Sequence, residues 1–201
     1  MIDNNKSIEE VEKVLQQKSN FRVKPEDFDK CIDHIIHLID DAATLYKKGS
    51  YCTSAFLSIT IIEEVAKIHM GLFIHTPNSN EKVKRSKDPL FSHKTKQIIG
   101  ANYTVSMGSR LQKAIGQQQM EKIFDIAYTE NLSQYRESSL YIEFKDGKIC
   151  VPSEVIDKTF SKSILLFAIE SFDDSLVGYD EYSLRISAHT DTLFSEIANQ
   201  I

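Results

Sequence analysis

The 201-residue sequence contains no tryptophan, four prolines, seven glycines and three cysteines. So little glycine and proline excludes a collagenous or loop-dominated chain. Cys31, Cys52 and Cys150 are odd in number and far apart, so they form neither a disulfide framework nor a zinc-knuckle spacing, and they suit a reducing compartment. The longest nearly unbroken apolar run, residues 55–62, falls well short of the ~20 residues a membrane helix needs. The N-terminal MIDNNKSIEE lacks the basic-then-apolar layout of a signal peptide. A cytoplasmic protein that does not enter a membrane is expected. Also missing are Gly-x-x-x-x-Gly-Lys-Ser/Thr, Gly-x-Gly-x-x-Gly, Gly-x-Ser-x-Gly and Cys-x-x-Cys, which leaves phosphate-binding loops, dinucleotide folds, serine-hydrolase elbows and zinc ribbons without support. His34 and His37 share a helix face, but no second ligand pair and no Glu-x-x-His accompany them, so a di-iron carboxylate bundle is not expected. Neither a metal nor a cofactor is expected.

What is present is an ordinary globular composition, 41% hydrophobic and 26% charged, in a chain long enough to fold without staples. The pattern is helical. Ser7-Ile8-Glu9-Glu10 reads as a capping box for a short helix over residues 7–18. Pro25 and Gly49 bracket a second helix, in which Phe28, Ile32, Ile35, Ile39, Ala42 and Tyr46 form an apolar stripe. Ser50 opens a third, apolar on most sides to about residue 74 and therefore central. Residues 76–90 read as a loop, and Ser92 as the cap of a fourth helix. Gly100, Gly108 and Gly116 leave residues 100–116 ambiguous, and a further helix follows over 117–129. Leu140 to Phe144 alternates, turns at Asp146-Gly147 and resumes at Ile149, which predicts a β-hairpin. Ser153 is expected to open a long C-terminal helical region with a break near Gly178. The expected architecture is all-α, a helical bundle with a small β-hairpin insertion, as one domain over residues 1–201 with residues 1–20 as an N-terminal helical appendage.

The net charge of −5 argues against a general nucleic-acid coat protein. Its distribution does not. Lys82, Lys84, Arg85, Lys87, Lys94 and Lys96 stand against Asp88 alone within residues 82–96, a local net of +5. Such a stripe is either a solvated loop or an attractor for a phosphate backbone. His93, Lys94 and Lys96 start a helix, where free N–H groups and the dipole favour anions. In the apolar third helix, Glu63 and Lys67 have the spacing of a helical ion pair, and Glu63-Glu64 places charge where burial demands a partner. The pair is either structural or part of a site. Arg136 and Tyr141, at the end of a helical stretch, are either a helix-capping arginine with a packed tyrosine or site residues. The acidic run Glu170, Asp173, Asp174, Asp180 and Glu181 is expected to have no nearby base and so to repel RNA, or else to receive a basic partner or keep the protein soluble.

Three segments in order, Ser58-Ile59-Thr60-Ile61-Ile62-Glu63-Glu64-Val65-Ala66-Lys67, Phe91-Ser92-His93-Lys94-Thr95-Lys96, and Leu140-Tyr141-Ile142-Glu143-Phe144-Lys145-Asp146-Gly147-Lys148 with Pro152-Ser153 after it, resemble the AbiV family of bacterial abortive-infection proteins within the HEPN superfamily. The resemblance spans roughly residues 28–175. It implies a HEPN-like helical bundle, a homodimer, and a role in phage resistance through RNA or translation, with a metal-independent ribonuclease or an RNA-binding block as the activity. It also implies a phage-encoded activator protein that confines toxicity to infected cells. HEPN nucleases typically carry Arg-x(4–6)-His, and this chain has no such match: seven residues separate Arg85 from His93, and three separate Arg185 from His189. The segment best placed to match, Arg136 to Tyr141, has Tyr where His is expected. Either His93 supplies the imidazole from another helix, or Tyr141 replaces it, or the domain binds RNA, or a phage or host protein, without cutting.

On the nuclease reading, Arg136, His93, Tyr141 and Lys96 are the candidate catalytic residues, with Glu63 and Glu64 orienting Arg136 or His93. Histidine suits proton transfer near neutral pH, and tyrosine would serve better as a donor than as a base. Lys67, Lys82, Lys84, Arg85, Lys87 and Lys94 are the candidate RNA-binding residues.

Overall fold

A computed structural model describes residues 5–75, 82–107, 109–129 and 131–200, with the side chains of residues 5–7 and 102–109 outside what is described. Helix α1 (Asn5–Leu15) leads to α2 (Pro25–Lys47) and α3 (Tyr51–Phe73). Two single 3-10 turns occupy the end of the stretch expected as loop, Arg85–Lys87 inside it and Pro89–Phe91 running one residue past it. They are followed by α4 (His93–Met107), α5 (Ser109–Ile115), α6 (Gln117–Tyr128) and α7 (Leu132–Ser138). Strands β1 (Glu143–Lys145) and β2 (Lys148–Cys150) precede α8 (Pro152–Val155), α9 (Lys158–Leu176) and α10 (Glu181–Ala198). The all-α architecture with one hairpin is thus the observed one.

The core follows from which helices are apolar all round. Helix α3 buries residues on most of its sides, including Ala55, Ile59, Ile61, Ile62 and Val65, and packs on α9, α2 and α4. Helix α9 is equally immersed, and its Phe160, Phe167 and Phe172 are absorbed within the chain. The α2 stripe faces inward as its periodicity predicts. The hairpin pairs Phe144 with Ile149 and Lys145 with Lys148 around Asp146-Gly147, both with positive φ (50° and 79°), the conformation a two-residue turn requires.

Several local expectations are corrected. Helix α1 begins by Asn5, so Ser7 lies inside it, and it packs on α4, with Val14 buried beside Met70 and Ile99. Ser50 stands at the N-cap of α3 without a side-chain cap bond. The long C-terminal helix is opened by Asp157, whose carboxylate accepts from Phe160 N at 2.6 Å, because Pro152 and Ser153 belong to the separate turn α8. The acidic run on α9 does have a base: Arg110 of α5 pairs with Glu170, Asp173 and Asp191.

Gly100 explains how α4 reaches α3. A Cβ there would lie 2.6 Å from Ile62 Cγ2 and 2.9 Å from the Ile62 carbonyl oxygen, so only glycine permits this helix–helix approach. Gly100→Ala is expected to cost about 1–3 kcal/mol in urea denaturation through overpacking. An unchanged midpoint would refute the close approach.

Burial also gives a pH dependence. His69 is buried on α3, with Nε2 2.9 Å from Tyr179 Oη, and burial depresses its pKa from 6.5 to about 4. Between those values the unfolded chain binds a proton that the folded chain refuses. The contribution is therefore intact above pH 6.5 and lost as pH falls toward 4, on the order of 3 kcal/mol. Asp173 and Asp174 oppose this, burial raising them to about 6 and about 7, so the comparison must be with a variant. From pH 7.5 to 4.5 the wild type should lose stability relative to His69→Gln, and parallel denaturation curves would contradict the assignment.

Candidate functional site

The most apolar helix carries a carboxylate at its middle. Glu63 is 2% exposed, and four side chains from two other helices converge on it. Gln97 Nε2 donates to Oε1 at 2.7 Å. Oε2 receives His93 Nδ1 at 2.6 Å, Lys96 Nζ at 3.2 Å and Arg136 Nη1 at 3.4 Å. His93, Lys96 and Gln97 come from the first turns of α4, where spacings of three and four put them on one face. That helix is capped by Ser92, whose Oγ accepts from Thr95 N at 3.3 Å. Arg136 comes from the last turn of α7, which is anchored by buried Leu132, by Tyr135 stacked on Phe160 at 4.9 Å, and by Ser133 Oγ donating to Gln97 Oε1 at 3.2 Å.

The hydrogen-bond pattern orients the ring of His93. A carboxylate buried among cations only accepts, so the 2.6 Å contact places a proton on His93 Nδ1 and turns Nε2 away from Glu63. Arg136 Nη1 lies 3.1 Å from Nδ1 and shares its acceptor with it. The His93 side chain is 49% exposed, whereas Lys96 is 7% and Arg136 17%. The arrangement therefore has a buried anionic hub, a buried ammonium behind it, and an imidazole and a guanidinium at the surface. Arg136 Nη2 also donates to exposed Glu137 at 2.8 Å, a contact of the kind that solvent weakens.

Of the sequence candidates, Glu63, His93, Lys96 and Arg136 meet in one cluster. Glu64 borders it, 3.9 Å from Lys96 Nζ. The expected Glu63–Lys67 pair is not formed: Lys67 pairs with Glu64, one residue nearer, because Glu63 faces α4 and α7. Tyr141 follows α7, is 59% exposed, and forms no side-chain hydrogen bond with the described residues of the cluster. Lys82, Lys84, Arg85 and Lys87 are exposed on the segment leading to α4, as is Lys94 on its first turn. Asp88, the lone acid of that stripe, does not neutralise it. It is buried and accepts from Ser19 Oγ at 2.9 Å, Asn20 N at 3.1 Å and Leu90 N at 3.1 Å. Gln97 and Ser133 were missed by sequence reasoning, and the position of Gln97 four residues after His93 is the signal that could have found Gln97. Among the described residues no group of three or more His, Cys, Asp and Glu side chains is gathered to hold a metal ion.

The family model HEPN_AbiV, described as AbiV, matches residues 26–172, a span that contains every member of the cluster. No match emerges among curated proteins or among solved structures.

The hub makes a stability prediction. Glu63→Leu leaves Lys96 buried with only Glu64 near it and is expected to cost about 3–5 kcal/mol in urea denaturation. Adding Lys96→Met should recover at least half of that loss. A Glu63→Leu protein as stable as the wild type would show that the carboxylate is not the hub.

Proposed function

The chain belongs to the AbiV family of HEPN abortive-infection proteins, and from that premise we propose that it is an endoribonuclease that halts phage growth by cutting RNA during infection. The observation that carries the reading is the Glu63–His93 hydrogen bond of 2.6 Å with Arg136 beside it. A buried carboxylate that holds one imidazole nitrogen protonated presents the other as a base at the surface. In this reading His93 Nε2 takes the proton of a ribose 2′-OH. The freed oxygen attacks the adjacent phosphorus, and the bond to the 5′-oxygen breaks. The proton held on Nε2 passes to that 5′-oxygen. The products are a 2′,3′-cyclic phosphate and a 5′-OH.

Arg136 stabilises the charge that develops on the phosphoryl oxygens. Its Nη2 exchanges exposed Glu137 for the phosphate, while Nη1 stays aimed by Glu63. Lys96 is too deep to touch substrate and acts by balancing Glu63. His93 thus supplies from α4 the imidazole that the missing Arg-x(4–6)-His would have placed after Arg136. A phage-supplied trigger would confine cutting to infected cells, and homodimerisation is the expected assembly.

One observation favours a second reading, capture of a phage or host protein without catalysis. Tyr141, Ile142, Phe144 and Ile149 are exposed around the hairpin, an apolar surface next to the arginine helix.

Total bacterial RNA incubated with the protein, with EDTA and with or without extract of infected cells, decides between them. The nuclease reading predicts new 2′,3′-cyclic phosphate ends. Each of His93→Ala and Arg136→Ala, with folding verified, should lower their yield by on the order of 10²-fold or more. Intact RNA in all wild-type reactions would overturn it.

A further inference from the structure

The basic segment before α4 is clamped to the body of the protein. Buried Asp88 ties it to Ser19 and Asn20, and Val83 N donates to Asn20 Oδ1 at 3.2 Å. On this fixed segment the guanidinium of Arg85 lies over the ring of Phe91, 4.6 Å from its centroid. Phe91 is braced edge-on by Phe21 at 6.4 Å and 88°, and Phe21 in turn lies under Lys67 Nζ at 5.2 Å. Lys67 pairs with Glu64, and Glu64 lies 3.9 Å from Lys96 of the hub. A continuous ladder of stacked and paired groups therefore runs from Arg85 to the His93 cluster.

Arg85 is the outermost rung. It makes no ion pair among the described residues, whereas Arg110 and Arg136 are each held by carboxylates. Its guanidinium carbon lies over the Phe91 ring, and Arg85 itself is exposed. Lys84 and Lys87 flank it, also exposed, and the only acid in the segment is turned inward. A planar cation on an aromatic support within an unneutralised basic rim fits an unpaired nucleobase attached to a phosphate chain. Phe91 precedes His93 by two residues, so their Cα atoms are at most ~7.6 Å apart. With the reach of the side chains added, a base on this platform belongs to a nucleotide within a few positions of the one at His93.

We infer that Arg85, supported by Phe91, is a stacking platform for a nucleobase of single-stranded RNA entering the His93 site. This rests on the proposed RNA substrate and extends it: the substrate is single-stranded beside the cut, because a base held in a duplex has no free face to offer. The lysines supply sequence-independent attraction, and Arg85 supplies the requirement for an unstacked base.

The test uses the full-length protein and 2′-O-methyl RNA 12-mers, which have no 2′-OH to attack, carrying 2-aminopurine at successive positions in single-stranded or duplex form. The single strand is expected to bind at least 10-fold more tightly than the duplex, with fluorescence changing at a restricted set of positions. Arg85→Lys keeps the charge and loses the plane. It should weaken single-strand binding about as much as Arg85→Ala, on the order of 10-fold, and remove the fluorescence change. Lys84→Ala should weaken both forms alike and lower the salt dependence by about one phosphate contact. Arg85→Lys binding like the wild type, equal affinity for both forms, or no binding would each overturn the platform. Cleavage of ordinary RNA is scored separately. A wild type that stacks RNA without cutting it removes the nuclease reading and leaves the platform. A wild type that cuts, with Arg85→Lys unaffected, does the reverse.

Discussion

Burying a carboxylate costs several kcal/mol unless charge and hydrogen bonds replace its water, and that cost at Glu63 organises this protein. Both oxygens are bonded by groups from α4 and α7, Oε2 by three of them. None of these donors neighbours Glu63 in sequence, so the hub forms only when three helices are in place. The same bonding orients the groups at the surface. It sets which nitrogen of His93 faces Glu63 and which edge of Arg136 is held, and in the proposed chemistry the opposite atoms meet the substrate.

The fold supplies what this arrangement needs. Gly100 lets α4 lie against the backbone of α3 at Ile62, the residue before the hub. Leu132 and the Tyr135–Phe160 stack hold a helix of only two turns tightly enough to aim an arginine. Asp88, which looked like partial neutralisation of a basic loop, instead anchors that loop and leaves its charge facing solvent. Helices thus carry the imidazole and guanidinium, and exposed Lys84, Arg85, Lys87 and Lys94 stand on the segment that leads into one of them or on its first turn, although the whole chain is acidic.

Helices α2 and α3 were legible because their stripes and flanking Pro25 and Gly49 agree, and the hairpin because Asp-Gly in a short alternating segment has few other uses. Helix ends were less legible. Ser153 and Asp157 are both good caps four residues apart, and a one-turn helix that takes in Ser153 and ends before Asp157 cannot be read from pattern alone. Glu63, His93, Lys96 and Arg136 were each identifiable as chemistry-bearing residues, yet their meeting was not, since 73 residues separate Arg136 from its acceptor. The i, i+4 rule paired Glu63 with Lys67 because it counts only neighbours on one helix. The tertiary partners on α4 turned Glu63 away and left Lys67 to Glu64. Arg110 escaped notice for the same reason, its acids lying 60 residues or more further along the chain.

The protonation of one ring decides whether His93 can act as the base. Nitrogen-15 NMR of the imidazole of His93 at neutral pH reads the tautomer directly. Nδ1 should give a pyrrole-type signal and Nε2 a pyridine-type one, with that preference lost in Glu63→Gln. A ring protonated on Nε2 in the wild type, or one that ignores the loss of the Glu63 charge, would contradict the claim that the buried carboxylate prepares His93 as the surface base.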